Sequence, residues 1–108
     1  MSEIPRKRVL VADGDEIVAF IASHILTRYD FAVDTVGSAE AFRAQGNSYD
    51  AVVVSAGLAA ELGQDDFDVS RAIVIGDGVD AAKAFAHLRK PLELDLLVTT
   101  VSACAGRR

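Results

Sequence analysis

The stretch Tyr49-Asp50-Ala51-Val52-Val53-Val54-Ser55 most constrains what this chain can fold into. It holds four apolar residues in a row, three of them β-branched, and then turns polar at Ser55 before Gly57. A strand with one wet face would alternate. An unbroken apolar run fits a strand covered on both faces, as in the middle of a parallel sheet. The rest of the chain must then supply neighbouring strands and two covering layers. In open α/β sheets, ligands and chemistry collect at the carboxyl ends of the strands, so Ser55 is a position of interest from the start.

Two other runs share this character. Val9-Leu10-Val11-Ala12 ends in Asp13-Gly14-Asp15-Glu16, and Ala72-Ile73-Val74-Ile75 ends in Gly76-Asp77-Gly78. Between them the period changes. Asp15 suits the N-cap of a helix over about 16–29, with Ile17, Phe20, Ile21 and His24 recurring at helical spacing. This places His24 on the apolar side, at the edge of the core. Asp30 breaks the helix, and Phe31 to Val36 reads as a strand. Ser38 caps a short helix over Ala39–Ala44, closed by Gly46-Asn47. Ala56–Leu62 carries one or two helical turns, Gly63 to Asp66 a loop and Val79–Lys83 at most a turn or two. Ala84 to Leu88 reads as a fifth strand, and a last helix over about 92–103 puts Leu94, Leu97, Val98 and Val101 on one face.

Five strands alternating with helical segments predict a parallel sheet with helices on both faces. The short connections of the second half leave antiparallel pairing, or a different small α/β fold, open there. With 108 residues, 51% of them hydrophobic, the chain fits one domain, with its core over about 8–104. The net charge of -5 argues against nucleic-acid or anionic-membrane partners, which require a basic face. Arg6-Lys7-Arg8 and Arg107-Arg108 are short and read as solvated. The single cysteine, Cys104, excludes an intramolecular disulfide and a cysteine metal site, and reads as a small apolar residue of the last helix. The apolar run after the polar N-terminus is far too short for a signal peptide or a span, so a soluble cytoplasmic protein is expected.

In this order the residues resemble the receiver domain of bacterial response regulators. The likeness rests on Val9 to Glu16, on Tyr49-Asp50 leading into the valine run, on Ile73-Val74-Ile75-Gly76, and on Lys90-Pro91 before Leu92. It implies a five-stranded sheet of flavodoxin-like order. It also implies an acidic pair that holds magnesium, a phosphorylated Asp on the third strand, a Thr or Ser and a Lys contacting the phosphoryl group, and an aromatic switch on the fifth strand. Here Asp13 matches the first acid and Lys90 the lysine. Gly14 replaces the second acid, Ser55 stands at the phosphoacceptor position, Gly76 at the Thr or Ser, and His87 at the switch. The connections depart as well, with twenty residues between Ser55 and Gly76 and thirteen between Gly76 and Lys90. Against the resemblance these are short, so the third and fourth helices are expected to be shortened or lost.

Acyl-phosphate formation requires a carboxylate nucleophile and a cation beside the transferring group. Ser55 is a hydroxyl with no base evident beside it. Magnesium prefers two or more carboxylates, and Asp13 with Asp15 or Glu16 is only a weak candidate set, so no metal and no cofactor are expected. The expectation is therefore a degenerate receiver-like domain that is not phosphorylated at this site. It would act without catalysis by binding another signalling protein, a histidine kinase or a response regulator, through its first helix, last helix or strand-end loops.

Each singled-out residue also has a plainer reading. Lys90 with Asp13 can be a salt bridge closing the strand ends. Pro91 can follow a cis bond or occupy the first turn of the last helix. Asp13, Asp15 and Glu16 read as a solvated cap and loop, Ser55 as a small polar filler, Gly76-Asp77-Gly78 as a turn, and His87 as a strand residue near the surface. Two other classes stay open. One is nucleotide or second-messenger binding at the strand ends, helped by Lys90, Gly76, Gly78 and the terminal arginines. The other is phosphorylation at a non-standard residue such as Asp13 or Asp77. No nucleophile–base pair or cofactor fingerprint points to another enzyme.

Overall fold

A computed structural model of the chain describes residues 6–45, 48–62, 66, 68–76, 85–89 and 93–106. The strands are β1 (Arg8–Ala12), β2 (Ala32–Val36), β3 (Ala51–Ser55), β4 (Ala72–Ile75) and β5 (Ala86–Leu88). The helices are α1 (Glu16–Arg28), α2 (Ala39–Gln45), α3 (Ala56–Glu61) and α4 (Leu94–Ala105), with a 3-10 turn at Val69–Arg71. The sheet order is β2-β1-β3-β4-β5, and every neighbouring pair is parallel. The expected flavodoxin-like order holds, and pairing in the second half is parallel.

The valine run sits where its composition places it. All five residues of β3 are buried, between β1 and β4. Because successive side chains point to opposite faces, the strands feed two cores. Val9, Val11, Val53, Ile73 and Ile75 pack beneath α1 and α4, with Ala19, Ala22, Leu26, Leu97 and Val101. Leu10, Ala12, Val52, Val54 and Val74 face the other way, onto Ala39 and Phe42 of α2 and Leu58 of α3.

Local chemistry ends the elements. Asp15 is the N-cap of α1, its Oδ1 accepting from the amides of Ile17 at 3.0 Å and Val18 at 3.4 Å. Ser38 Oγ accepts from the Ala41 amide at 3.1 Å at the start of α2. After α1 the chain turns through Asp30, whose φ of 68° lies in the left-handed region that Asp tolerates better than most residues. Cys104 is buried on α4, and its Sγ donates to the Arg71 carbonyl at 3.3 Å.

Four expectations are corrected. The face of α1 that enters the core carries Ala19, Ala22 and Leu26. The stripe with the larger side chains points to solvent, with Ile17 71%, Phe20 70% and Ile21 41% exposed. His24 is therefore not at the core edge but exposed, stacked on Phe20 with ring centroids 6.1 Å apart. The third strand begins at Ala51, because Tyr49 and Asp50 have other uses. Arg8 is not simply solvated, as the network below shows. The third helix is short, six residues. Residues 77–84, where the next would fall, lie outside the described residues, as do Gly46-Asn47, Gly63 to Asp65 and the terminal arginines.

Beneath the sheet's amino-terminal edge, Arg8 ties three segments together. Its amide donates to Asp50 Oδ2 at 2.8 Å, and its Nη1 donates to Ser48 Oγ at 2.8 Å. Its guanidinium lies 4.6 Å from the centroid of the Tyr49 ring. The buried Tyr49 hydroxyl donates to Asp34 Oδ2 at 2.7 Å and contacts Gln45 Oε1 at 3.0 Å. Burial first, and then the hydrogen bond to Asp34, raise the Tyr49 ionisation above its ordinary 10.0. A folded value above the unfolded one adds stability that is complete below the unfolded value and lost as pH rises through the folded one. Tyr49→Phe is expected to cost about 1 kcal/mol near neutral pH. It is also expected to flatten the stability loss that the native chain shows above its unfolded tyrosine value. Urea unfolding of both proteins across alkaline pH checks this, and identical alkaline slopes would contradict it.

Candidate functional site at the strand ends

The parallel register sets out the candidate site. Ala12 pairs with Val54, Ser55 with Ile75, and Ile75 with Leu88. The residues following β1 and closing β3 are therefore neighbours, Asp13 beside Ser55, with Gly76 one step beyond β4. The structure thus brings together three of the positions that the sequence singled out.

Asp13 is 5% exposed. Its amide donates to the Val36 carbonyl at 3.1 Å, and its Oδ1 accepts from the Asp15 amide at 2.9 Å. Its carboxylate thereby shapes the turn into α1, and Gly14 between the two acids contributes no side chain. Asp15 carries the cap already described. The acidic loop reads as a capping arrangement, one of the two readings that the sequence left open.

Ser55 is 9% exposed, and its hydroxyl has a structural task. Its backbone is extended and its Oγ accepts from the Leu58 amide at 3.3 Å, making it the N-cap of α3. The chain passes straight from β3 into a helix, and that turn requires a short oxygen-bearing side chain to meet the open amide. An orphan amide, not a nucleophile's surroundings, explains this serine.

Gly76 has φ +111°, and a Cβ built on it would lie 3.4 Å from the Ala56 Cβ. Both the backbone and the close approach of the β3–α3 turn favour glycine. The hydroxyl residue that the resemblance implies at this position would be strained. Its carbonyl is hydrogen-bonded by His87 Nε2. His87 is exposed on β5, so it latches the edge strand to the end of β4 from outside the core. Lys90 and Pro91, with Asp77 and Gly78, lie outside the described residues.

The magnesium ion implied by the resemblance has a test here. It would need two or more carboxylate oxygens at the strand ends. Asp13 Oδ1 and Asp15 Oδ1 already accept backbone amides, Gly14 has none to offer, and Ser55 is neutral. Among the described residues no group of three or more His, Cys, Asp or Glu side chains is placed to hold a metal ion. The donor set among the described residues does not fit a magnesium centre.

A cleft of about 300 Å³ opens to one side of these strand ends, between α1 and the β2–α2 corner. Asp13, Glu16, Phe20, Ser23, Thr35 and Gly37 line it. Sequence reasoning missed this cleft, because Thr35 and Gly37 come next to Glu16 only through the β1–β2 register.

No family model matches the chain, and no curated protein does. Solved structures do. A beryllofluoride-activated DrrB receiver domain superposes with a TM-score of 0.79 at 19% identity, over 95% of this chain and 100% of that one. The receiver domain of Francisella response regulator 1452 gives 0.78 at 20% identity, over 94% and 98%. A response regulator receiver domain protein from Clostridium thermocellum gives 0.73 at 20% identity, over 94% and 95%. The chain therefore has the receiver fold, and at these identities the likeness is one of fold.

Two substitutions test this account of the strand ends. Ser55→Ala removes the α3 cap and is expected to cost about 1 kcal/mol. Gly76→Thr forces a β-branched residue into left-handed backbone against Ala56 and is expected to cost about 2 kcal/mol or more. Thermal unfolding resolves both, since about 1 kcal/mol moves the midpoint of a domain this size by roughly 4–8 °C. An unchanged midpoint for Gly76→Thr would contradict the assignment of that glycine.

Proposed function

We propose that this chain is a receiver-like module of bacterial two-component signal transduction that works without phosphorylation. On this reading it is not an enzyme and takes no cofactor. It acts in the cytoplasm by binding another signalling protein, a histidine kinase or a response regulator. The observation that carries the reading is Ser55. At the end of the central strand, where the fold's relatives by resemblance carry a phosphorylated carboxylate, this chain has a hydroxyl already used to cap α3. The lack of fit to magnesium and the glycine at position 76 support the same conclusion from two other strand ends.

Two further observations support a binding role. Solved structures with this fold include several named as response regulators or receiver domains, among them a chemotaxis response regulator of Vibrio cholerae. In addition, α1 turns large apolar side chains to solvent while its alanines serve the core. Large exposed apolar side chains gathered on one helix face mark surfaces that meet other proteins. Among the described residues no helix is long and apolar enough to cross a membrane.

The test is a two-dimensional amide NMR spectrum of labelled protein titrated with magnesium and then beryllofluoride, alongside mass spectrometry after incubation with acetyl phosphate. The expected outcome is that the amides of Asp13, Gly14, Ser55 and Gly76 stay in place and no acyl phosphate forms. Stoichiometric acyl phosphate on Asp13, Asp77 or any other carboxylate would overturn the reading. So would beryllofluoride shifts that spread from the strand ends to His87.

A further inference from the structure

We infer that the exposed face of α1 is a two-fold interface between copies of this chain, with two α1 helices packed antiparallel. This deepens the proposed function, because it rests on α1 as a docking face and names its occupant.

The face has three parts. In the middle, Ile17, Phe20, Ile21 and His24 form a stripe at helical spacing, with Phe20 and His24 stacked. Toward the amino end, Glu16 and the buried Asp13 line the cleft against the β2–α2 corner, and Phe20 forms part of the same wall. At the carboxyl end stands Arg28, exposed and on the same side of the helix as Ile17, Ile21 and His24. Among the described residues no ion pair engages Arg28 or Glu16.

This arrangement is complementary to itself. Arg28 is eight residues beyond Phe20, and Asp13 is eight before Ile21. When two α1 helices run antiparallel about an axis between Phe20 and Ile21, Ile17 of each copy lies level with His24 of the other. Each Arg28 then lies level with the acidic mouth of the other copy's cleft. A two-fold interface uses the same patch on both copies, so each contact occurs twice. The apolar stripe provides burial, and the charges set the direction: a parallel pairing would place Arg28 against Arg28 and Glu16 against Glu16. A guanidinium at the mouth of that cleft meets the exposed Glu16 carboxylate and the hydroxyls of Ser23 and Thr35, acceptors suited to its planar fork. A basic partner, such as a nucleic-acid-binding segment, would satisfy the cleft but not Arg28, whereas a second copy satisfies both. Three large apolar side chains a side cover less than the roughly 800 Å² per partner of a standard interface. The dimer is therefore weak and concentration-dependent.

Sedimentation equilibrium of the full chain, from about 10 µM to about 1 mM, reads this directly. A monomer–dimer equilibrium is expected within that range. Phe20→Ser and Arg28→Glu are each expected to weaken it at least about tenfold. Phe20 and Arg28 are exposed, and circular dichroism melting checks that the variants fold. Glu16→Lys alone is expected to be monomeric, but Glu16→Lys combined with Arg28→Glu in one chain is expected to dimerise again, because each exchanged charge then faces its opposite across the interface. That rescue depends on the antiparallel arrangement, since a parallel pairing would set like charges together in the double variant. A native chain that stays monomeric to about 1 mM would overturn the inference, as would a dimer indifferent to both substitutions, or a double variant that does not associate. So would a monomer whose α1 amides shift only on adding a histidine kinase. A monomer leaves the acetyl phosphate result untouched, and acyl phosphate leaves the dimer untouched, so the two readings fail separately.

Discussion

The structure depends on a strand that cannot be left with either face in water. Once Val52, Val53 and Val54 run consecutively, one side must be covered by α1 and α4 and the other by α2 and α3. Parallel pairing with β1 and β4 follows, since those segments carry the same unbroken apolar character and the connections cross over the faces. The strand ends then collect Asp13, Ser55 and Gly76 at one edge, whatever those side chains do. The candidate site is a by-product of the core's geometry, and its chemistry depends on three residues that the core itself does not dictate.

Those three residues have been taken up by the backbone. Asp13 holds the turn into α1, Ser55 starts α3, and Gly76 lets the end of β4 pass close to Ala56. Each task satisfies an otherwise open amide or relieves a close approach; at Asp13 and Ser55 it engages a side-chain oxygen, and at Gly76 there is none to engage. A carboxylate introduced at Ser55 would therefore meet a neighbourhood built around a hydroxyl cap. Binding through surfaces remains compatible with all three tasks.

Much of this was legible in the residues. The β4 strand has the bounds that its apolar run predicts, and Asp15 and Ser38 cap where their types and positions suggest. The β3 strand starts two residues late because Asp50 accepts from the Arg8 amide, and Tyr49 reaches Asp34 across a distance in sequence that no local pattern encodes. The α1 face was misread for a more general reason. Its sequence carries two stripes at helical period, Ala19, Ala22 and Leu26 on one and Ile17, Phe20 and Ile21 on the other. Hydrophobicity favours the second, but the alanines of the first let the helix lie close on a sheet of valines and isoleucines while Leu26 fills the core at its far end. Closeness of fit, not total apolarity, accompanies the face that went in, and Ile17, Phe20 and Ile21 are surface. Register-dependent features such as the cleft between α1 and Gly37 were beyond any one-dimensional reading.

The two outer strands have one more consequence. β5 is three residues long and pairs on one side with β4, and β2, at the other end of the order, carries Asp34 in its middle with three of its five residues exposed. A rim this brief on one flank and charged on the other is a poor template for backbone-to-backbone growth. Copies of this protein crowded together would thus resist zipping into extended ribbons, and whatever brings them into contact must do so through side chains.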